Sequence, residues 1–161
     1  MAIRFLRTEG DRVLRKQAMV VKRFDTALAK LLDDMAESMY HYEGVGLAAP
    51  QVGISKQIIV VDAAESGLIE LVNPEIVGAS GEEIDIEGCL SVPHTFGEVS
   101  RAAKVTVVGQ DRYGQKLEIE AEGLLARALQ HEIDHLRGVL FVDRALRILP
   151  QETDATSEMD E

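Results

Sequence analysis

"LLARALQHEIDHLR", residues 124–137, is the stretch on which the reading of this chain turns. Its apolar residues recur at helical spacing, and Gly138 follows as a stop signal. Positions i and i+4 of a helix share a face, so His131 and His135 can offer two imidazoles to one metal ion. Glu132 is turned about 100° away from His131. It is placed to take a proton from water beside the ion rather than to bind the ion. The competing reading is a solvent-facing turn that happens to hold two histidines. Half of the chain's four histidines fall in these five residues, which weighs against coincidence. The other two, His41 and His94, read as surface residues.

Two imidazoles do not complete a catalytic site. A third protein ligand is expected, with one position left open. Downstream of His135 there is neither histidine nor cysteine. Upstream stands Cys89, the sole cysteine, in "EGCLS" (87–91). Its thiolate would complete an open His₂Cys set, although a lone cysteine is also common as a small buried hydrophobe. Gly88 permits a sharp bend there, which would free the Leu90 N–H to face a developing oxyanion. "GVGLAAPQVG" (44–53) holds too much glycine and proline for a helix interior. It reads as a plain turn, or as a wall where bare backbone approaches a substrate and Gln51 supplies an amide donor.

The remainder places these motifs. A chain of 161 residues with 46 % hydrophobic residues suggests one domain with a sizeable core. "DTALAKLLDDMAESMYH" (25–41) reads as a helix capped by Asp25, with Leu28, Leu31, Leu32, Met35 and Met39 on its core face. Residues 56–62 and 68–77 read as strands, and 82–92 as a strand broken at Gly88. Residues 104–110 and 115–123 read as a hairpin around "DRYG". Helix, antiparallel strands, helix is the pattern of an α+β domain. The net charge of −11 argues against direct nucleic-acid binding. No apolar run approaches the roughly 20 residues of a membrane span. The arginine-rich start lacks the apolar core of a secretory signal, and Glu9 and Asp11 are out of place in a transit peptide. The domain is assigned to residues 1–149. Residues 150–161, with five acids and no base, read as a solvated, disordered tail.

"GVGLAAPQ" (44–51), "EGCLS" (87–91) and "HEIDHL" (131–136) together resemble the three signature motifs of the peptide deformylases, in order. "GDRVLRKQA" (10–18) is similar to that family's mature N-terminus. The resemblance spans roughly residues 3–149. It implies a compact single domain of mostly antiparallel sheets packed around a central helix carrying HEIDH. It also implies a cytoplasmic hydrolase that removes the formyl group from the N-terminal formylmethionine of nascent polypeptides. Carried over, Cys89, His131 and His135 would hold one divalent metal ion and Glu132 would be the general acid/base. Gln51 and the Leu90 amide would stabilise the oxyanion, and Gly46 would contact substrate backbone. The family's usual ion is ferrous iron, with zinc, nickel or cobalt as alternatives in purified protein. Donor chemistry alone favours zinc.

Leu124, Arg127 and Ala128 share the face of His131. With Val45, the apolar pair can line a methionine pocket, with Arg127 at the rim and its head in water. Ordinary core packing would produce the same spacing. Arg101 can hold substrate backbone or Glu87, or be a strand-end charge. The basic C-terminal helix of some members is replaced here by acids, which weakens any ribosome contact made through it; a transient contact stays open. Two other classes also remain: a zincin-type endopeptidase, lacking a downstream ligand, and a non-catalytic metal-binding module.

Overall fold

The computed structural model describes residues 2–150. The acidic end, read above as a disordered tail, lies outside the described residues from 151 onward.

Helix α1 runs Thr26–His41, and the Asp25 side chain caps it by accepting the Leu28 N–H at 3.0 Å. Its face Leu28, Leu31, Leu32, Met35 and Met39 is buried, as the helical period requires. After it come strand β1 (Gly46–Ala48) and a single 3₁₀ turn, Ala49–Val52, which ends at Gly53 with φ +86°. Strands β2 (Ile58–Asp62) and β3 (Leu68–Ser80) follow. β4 (Glu83–Cys89) and β5 (Val92–Arg101) form a hairpin, as do β6 (Lys104–Gln110) and β7 (Lys116–Glu122). Helix α2 covers Gly123–His135, and a short helix α3 (Phe141–Arg144) and strand β8 (Arg147–Ile148) close the domain. None of the described helices is long and apolar enough to cross a membrane.

The five-stranded antiparallel sheet has the order β1-β2-β3-β6-β7. Its two faces are read out by β2. Ile58 and Val60 join α1 and Leu47 in one core, whereas Ile59 and Val61 join Leu71, Val107 and the Ala126, Leu129 and Ile133 of α2 in another. Alternate strand side chains point to opposite faces, so the unbroken run "IIVV" marks a strand covered on both sides. Each such fully buried aliphatic side chain contributes about 1.5–3 kcal/mol. A second sheet, β4-β5-β8, is tied to α2 by hydrogen bonds of Glu87 with Arg127 and His131 and of Arg101 with Asp134, and its Val92 and Val99 pack with Leu14, Leu140 and Phe141. Helix α2 is therefore central, as expected.

Two expectations need correction. Gly88 does not break its strand; it pairs with Phe96, and the irregularity falls one residue later, where Cys89 pairs with Val92 across a tight turn. The chain also does not leave the sheet at residue 92, where the expected strand ends: "VPHTFGEVSR" is strand β5. Its inward positions include Gly97 and Arg101, so the apolar alternation that signals a strand is missing. Gly138 does stop the second helix region: its φ is +77°, and a Cβ there would lie 2.5 Å from the Arg15 carbonyl oxygen.

Candidate metal centre

Three side chains from two parts of the fold converge on one point. The last two turns of α2 supply His131 and His135, and the β4–β5 turn supplies Cys89. Their ligand atoms all lie within 4.8 Å of one another, with Cys89 Sγ 3.3 Å from His135 Nε2. His131 turns its Nδ1 to Glu87 Oε1 at 2.9 Å. That leaves its Nε2 facing Cys89 and His135, the orientation a ligating imidazole takes when a carboxylate holds its other nitrogen. Burial works against a charge on His131, but contacts with Cys89 and Glu87 and the charge of Glu132 outweigh it and raise its pKa to about 10. The surroundings thus draw positive charge to this ring, and a metal ion on Nε2 satisfies the same demand as a proton. His135 goes the other way. Burial, reinforced by the positive charge of His131 and Arg101, holds its pKa well below the usual value, so it is a neutral imidazole with a lone pair to give. The donors present fit one open metal site.

Glu132 is buried, and its Oε1 has no hydrogen-bond partner among the described residues. Burial raises its pKa, the charge of His131 opposes this, and Glu87 adds to it; the outcome is about 7. A carboxylate balanced between its two forms near neutrality suits proton transfer. Space for it comes from Gly46, where a Cβ would fall 2.6 Å from Glu132 Oε2. A Cβ on Gly44 would likewise meet Leu90 Cδ1 at 2.8 Å. The glycines of "GVG" are therefore spaces reserved for Leu90 and Glu132. Sequence reasoning gave Gly46 a substrate contact and had no signal for this neighbour, which comes from another part of the chain.

Gln51 faces the same point. Its Oε1 accepts the Ala48 N–H at 2.9 Å, and its Nε2 donates to Ser91 Oγ at 3.1 Å and lies 3.7 Å from Cys89 Sγ. Both ends of the amide are thereby fixed. The Leu90 N–H takes part in none of the turn's backbone hydrogen bonds among the described residues. Val45, Leu124 and Ala128 line a cavity of about 490 Å³ that also reaches Gln51, Cys89, His131 and Glu132. His41 and His94 are both exposed, and His94 stands at the cavity mouth.

Arg127 also borders the cavity, but its head is not in water. It donates to Glu87 Oε2 at 2.6 Å, to the Val99 carbonyl at 3.0 Å and to the Glu83 carbonyl at 2.8 Å. Arg101 holds Glu87 through two hydrogen bonds and reaches Asp134, which Arg144 of α3 grips as well. Of the three roles weighed for Arg101, the geometry selects Glu87. Burial pushes the Glu87 pKa up, but its bonds to Arg101 and His131 outweigh this and hold it well below the usual carboxylate range. The ionised Glu87 fixes His131, while two guanidiniums prevent it from taking the imidazole proton outright. Sequence reasoning missed the supporting roles of Asp134 and Arg144. The only hint was a second acid inside HEIDH.

An α+β domain whose central helix brings two histidines and a buried carboxylate to a cavity that also holds a cysteine has the form of a metallohydrolase. A profile of the polypeptide deformylase family matches residues 3–150. The chain is 61 % identical over 140 residues to the peptide deformylase of Carboxydothermus hydrogenoformans, covering 87 % of this chain and 91 % of that one. It is 56 % identical over 152 residues to that of Caldicellulosiruptor bescii, covering 94 % and 91 %. The crystal structure of the Thermotoga maritima peptide deformylase superposes with a TM-score of 0.89 at 46 % identity, covering 91 % of this chain and all of that one. The chain belongs to the polypeptide deformylase family. It is a metal-dependent hydrolase that removes the N-formyl group from the N-terminal formylmethionine of newly made polypeptides and releases formate.

Proposed function

We propose that Cys89, His131 and His135 hold the family's metal ion in this chain, and that the ion is ferrous iron. Zinc, nickel or cobalt would occupy the same donors in purified protein. The observation that carries the ligand set is the convergence of these three donors within 4.8 Å beside the buried, unpartnered Glu132. When bound, such an ion supplies Lewis acidity that activates water and polarises the formyl oxygen.

The chain's own residues account for the rest. The methionine side chain enters between Val45, Leu124 and Ala128, with Gly46 along the substrate backbone. Water adds to the formyl carbon, and Glu132 takes its proton. Gln51 Nε2 and the Leu90 N–H donate to the oxygen that becomes negative; one donor of this kind is typically worth ~3 kcal/mol of barrier. Glu132 then passes the proton to the leaving nitrogen as the C–N bond breaks, giving formate and a free amino terminus. Arg127 borders the pocket and steadies Glu87. The domain is residues 1–149. The enzyme works in the cytoplasm on nascent chains, where its ribosome contact is transient.

Metal analysis of anaerobically purified protein, with formate release measured on the same sample, tests the ligand set. Cys89→Ala is expected to lose both. Full metal occupancy in that variant would remove Cys89 from the site.

A further inference from the structure

Helix α3 is only one turn long, yet it acts on α2 at two places. Phe141 and Arg144 lie three apart and so share one side of it. Phe141 is fully buried, and its ring stacks on the His131 imidazole, with centroids 6.2 Å apart and planes 22° from parallel. That spacing is within the range of a favourable ring pair. Arg144 grips Asp134 through two hydrogen bonds, Nε to Oδ2 at 2.6 Å and Nη2 to Oδ1 at 3.0 Å. The turn itself is held in place. Leu140 and Phe141 pack with Leu14 and Val99, and Asp143 pairs with Arg15.

The grip on Asp134 passes inward. Asp134 Oδ2 also accepts from Arg101 Nη1 at 2.5 Å. Arg101 places its Nε and Nη2 on the two oxygens of Glu87, at 2.8 and 2.9 Å. Glu87 Oε1 in turn meets His131 Nδ1 at 2.9 Å. His131, Glu87, Arg101 and Asp134 are all buried, whereas the Arg144 side chain is 47 % exposed. Among the described residues, Arg101 and Arg144 are the only cations on Asp134. Without Arg144, Arg101 alone would neutralise Asp134 and would be drawn towards it from Glu87.

We propose that Phe141 and Arg144 are positioning residues for metal binding, which hold the His131 imidazole with its Nε2 towards Cys89 and His135. This rests on the reading that those three side chains carry the ion. The stack limits the tilt of the ring, and the bond to Glu87 decides which nitrogen faces the ion. Neither Phe141 nor Arg144 lines the cavity, so their effect falls on the ring and not on the substrate.

Zinc(II), titrated against a competing chelator into metal-stripped full-length protein, reads that effect. Groups that bond a metal-binding histidine are typically worth roughly 10–100-fold in affinity. Arg144 stands further out, so Arg144→Gln should weaken zinc binding about tenfold, the lower end of that range. Phe141→Leu keeps the core filled but removes the ring, and should weaken it by a similar factor. Circular dichroism confirms that each variant is folded, and the affinity of folded protein does not move with a loss of stability alone. In an Asp134→Asn background, Arg144→Gln should cost little more, because groups in one network are not additive. Wild-type affinity in either single variant overturns the role of that residue, and full additivity with Asp134→Asn overturns the route through Asp134. Cys89→Ala in the same titration separates the two levels of inference. Wild-type affinity there removes the ligand set itself. Lost affinity there, with wild-type affinity in Arg144→Gln and Phe141→Leu, removes only this proposal.

Discussion

Helix α1 buries Leu28, Leu32, Met35 and Met39 against the five-stranded sheet, whereas the second half of α2 buries Gln130, His131, Glu132, Asp134 and His135. Of the two polar side chains buried on α1, Ser38 accepts the Arg4 N–H, and Asp34 accepts the Ala2 N–H and pairs with the Arg4 guanidinium, so both are satisfied by the N-terminal segment alone. Those of α2 need partners from across the molecule: Glu87 from β4, Arg101 from β5 and Arg144 from α3. A buried charge without a partner costs several kcal/mol, so α2 can carry its site only because the small sheet and α3 supply opposite charges. One helix is built for stability and the other for chemistry.

The largest expected effect that would break this division is on α2. Glu132→Gln keeps size and hydrogen bonding but removes the proton acceptor. Formate release should fall by at least about 100-fold while metal content stays near wild type. Near-normal turnover would show that another group moves the proton, and loss of metal would show that Glu132 is a structural support.

On α1 the effects should be reversed. Leu32 is fully buried, and Leu32→Ala should lower the stability by about 2–5 kcal/mol, read from denaturant unfolding. The kcat of the fraction that remains folded should be unchanged. A matching drop in kcat would show that α1 tunes the site through the sheet.

A smaller effect sharpens the comparison through pH. The folded-state pKa of Glu87 lies below its usual 4.5, so its contribution is present above pH 4.5 and is lost as pH falls through that value towards the folded one. In metal-stripped protein at pH 7, Glu87→Gln should be less stable than wild type by on the order of 1–3 kcal/mol. That gap should narrow as the pH drops below about 4.5. A gap that is constant down to acid pH would mean that Glu87 stabilises by packing rather than by charge.

Much of this was legible in the chain alone. Helix α1 shows itself through its Asp25 cap and apolar spacing, and the β6–β7 hairpin through "DRYG", because both signals are local. His131 and His135 could be paired on one helix face for the same reason. Cys89 could be joined to them only as the remaining soft donor, and through the resemblance of three motifs to one family.

Strand β5 was not legible, because a strand that turns Arg101 inward and Phe96 outward contradicts the usual alternation. Its polarity is set by two carboxylates that bury the arginine, Asp134 on α2 and Glu87 on β4. The purpose of Gly46 was hidden for a related reason. A missing Cβ means nothing until the Glu132 carboxylate is seen beside it. Sequence determined which residues could bind a metal and where α1 and α2 start or stop, since those depend on residue type and near neighbours. Only the tertiary structure decided that Arg127 and Arg101 serve Glu87, and that Glu132 sits unpartnered near its balance point, because charge states and close approaches depend on groups brought together from distant parts of the chain.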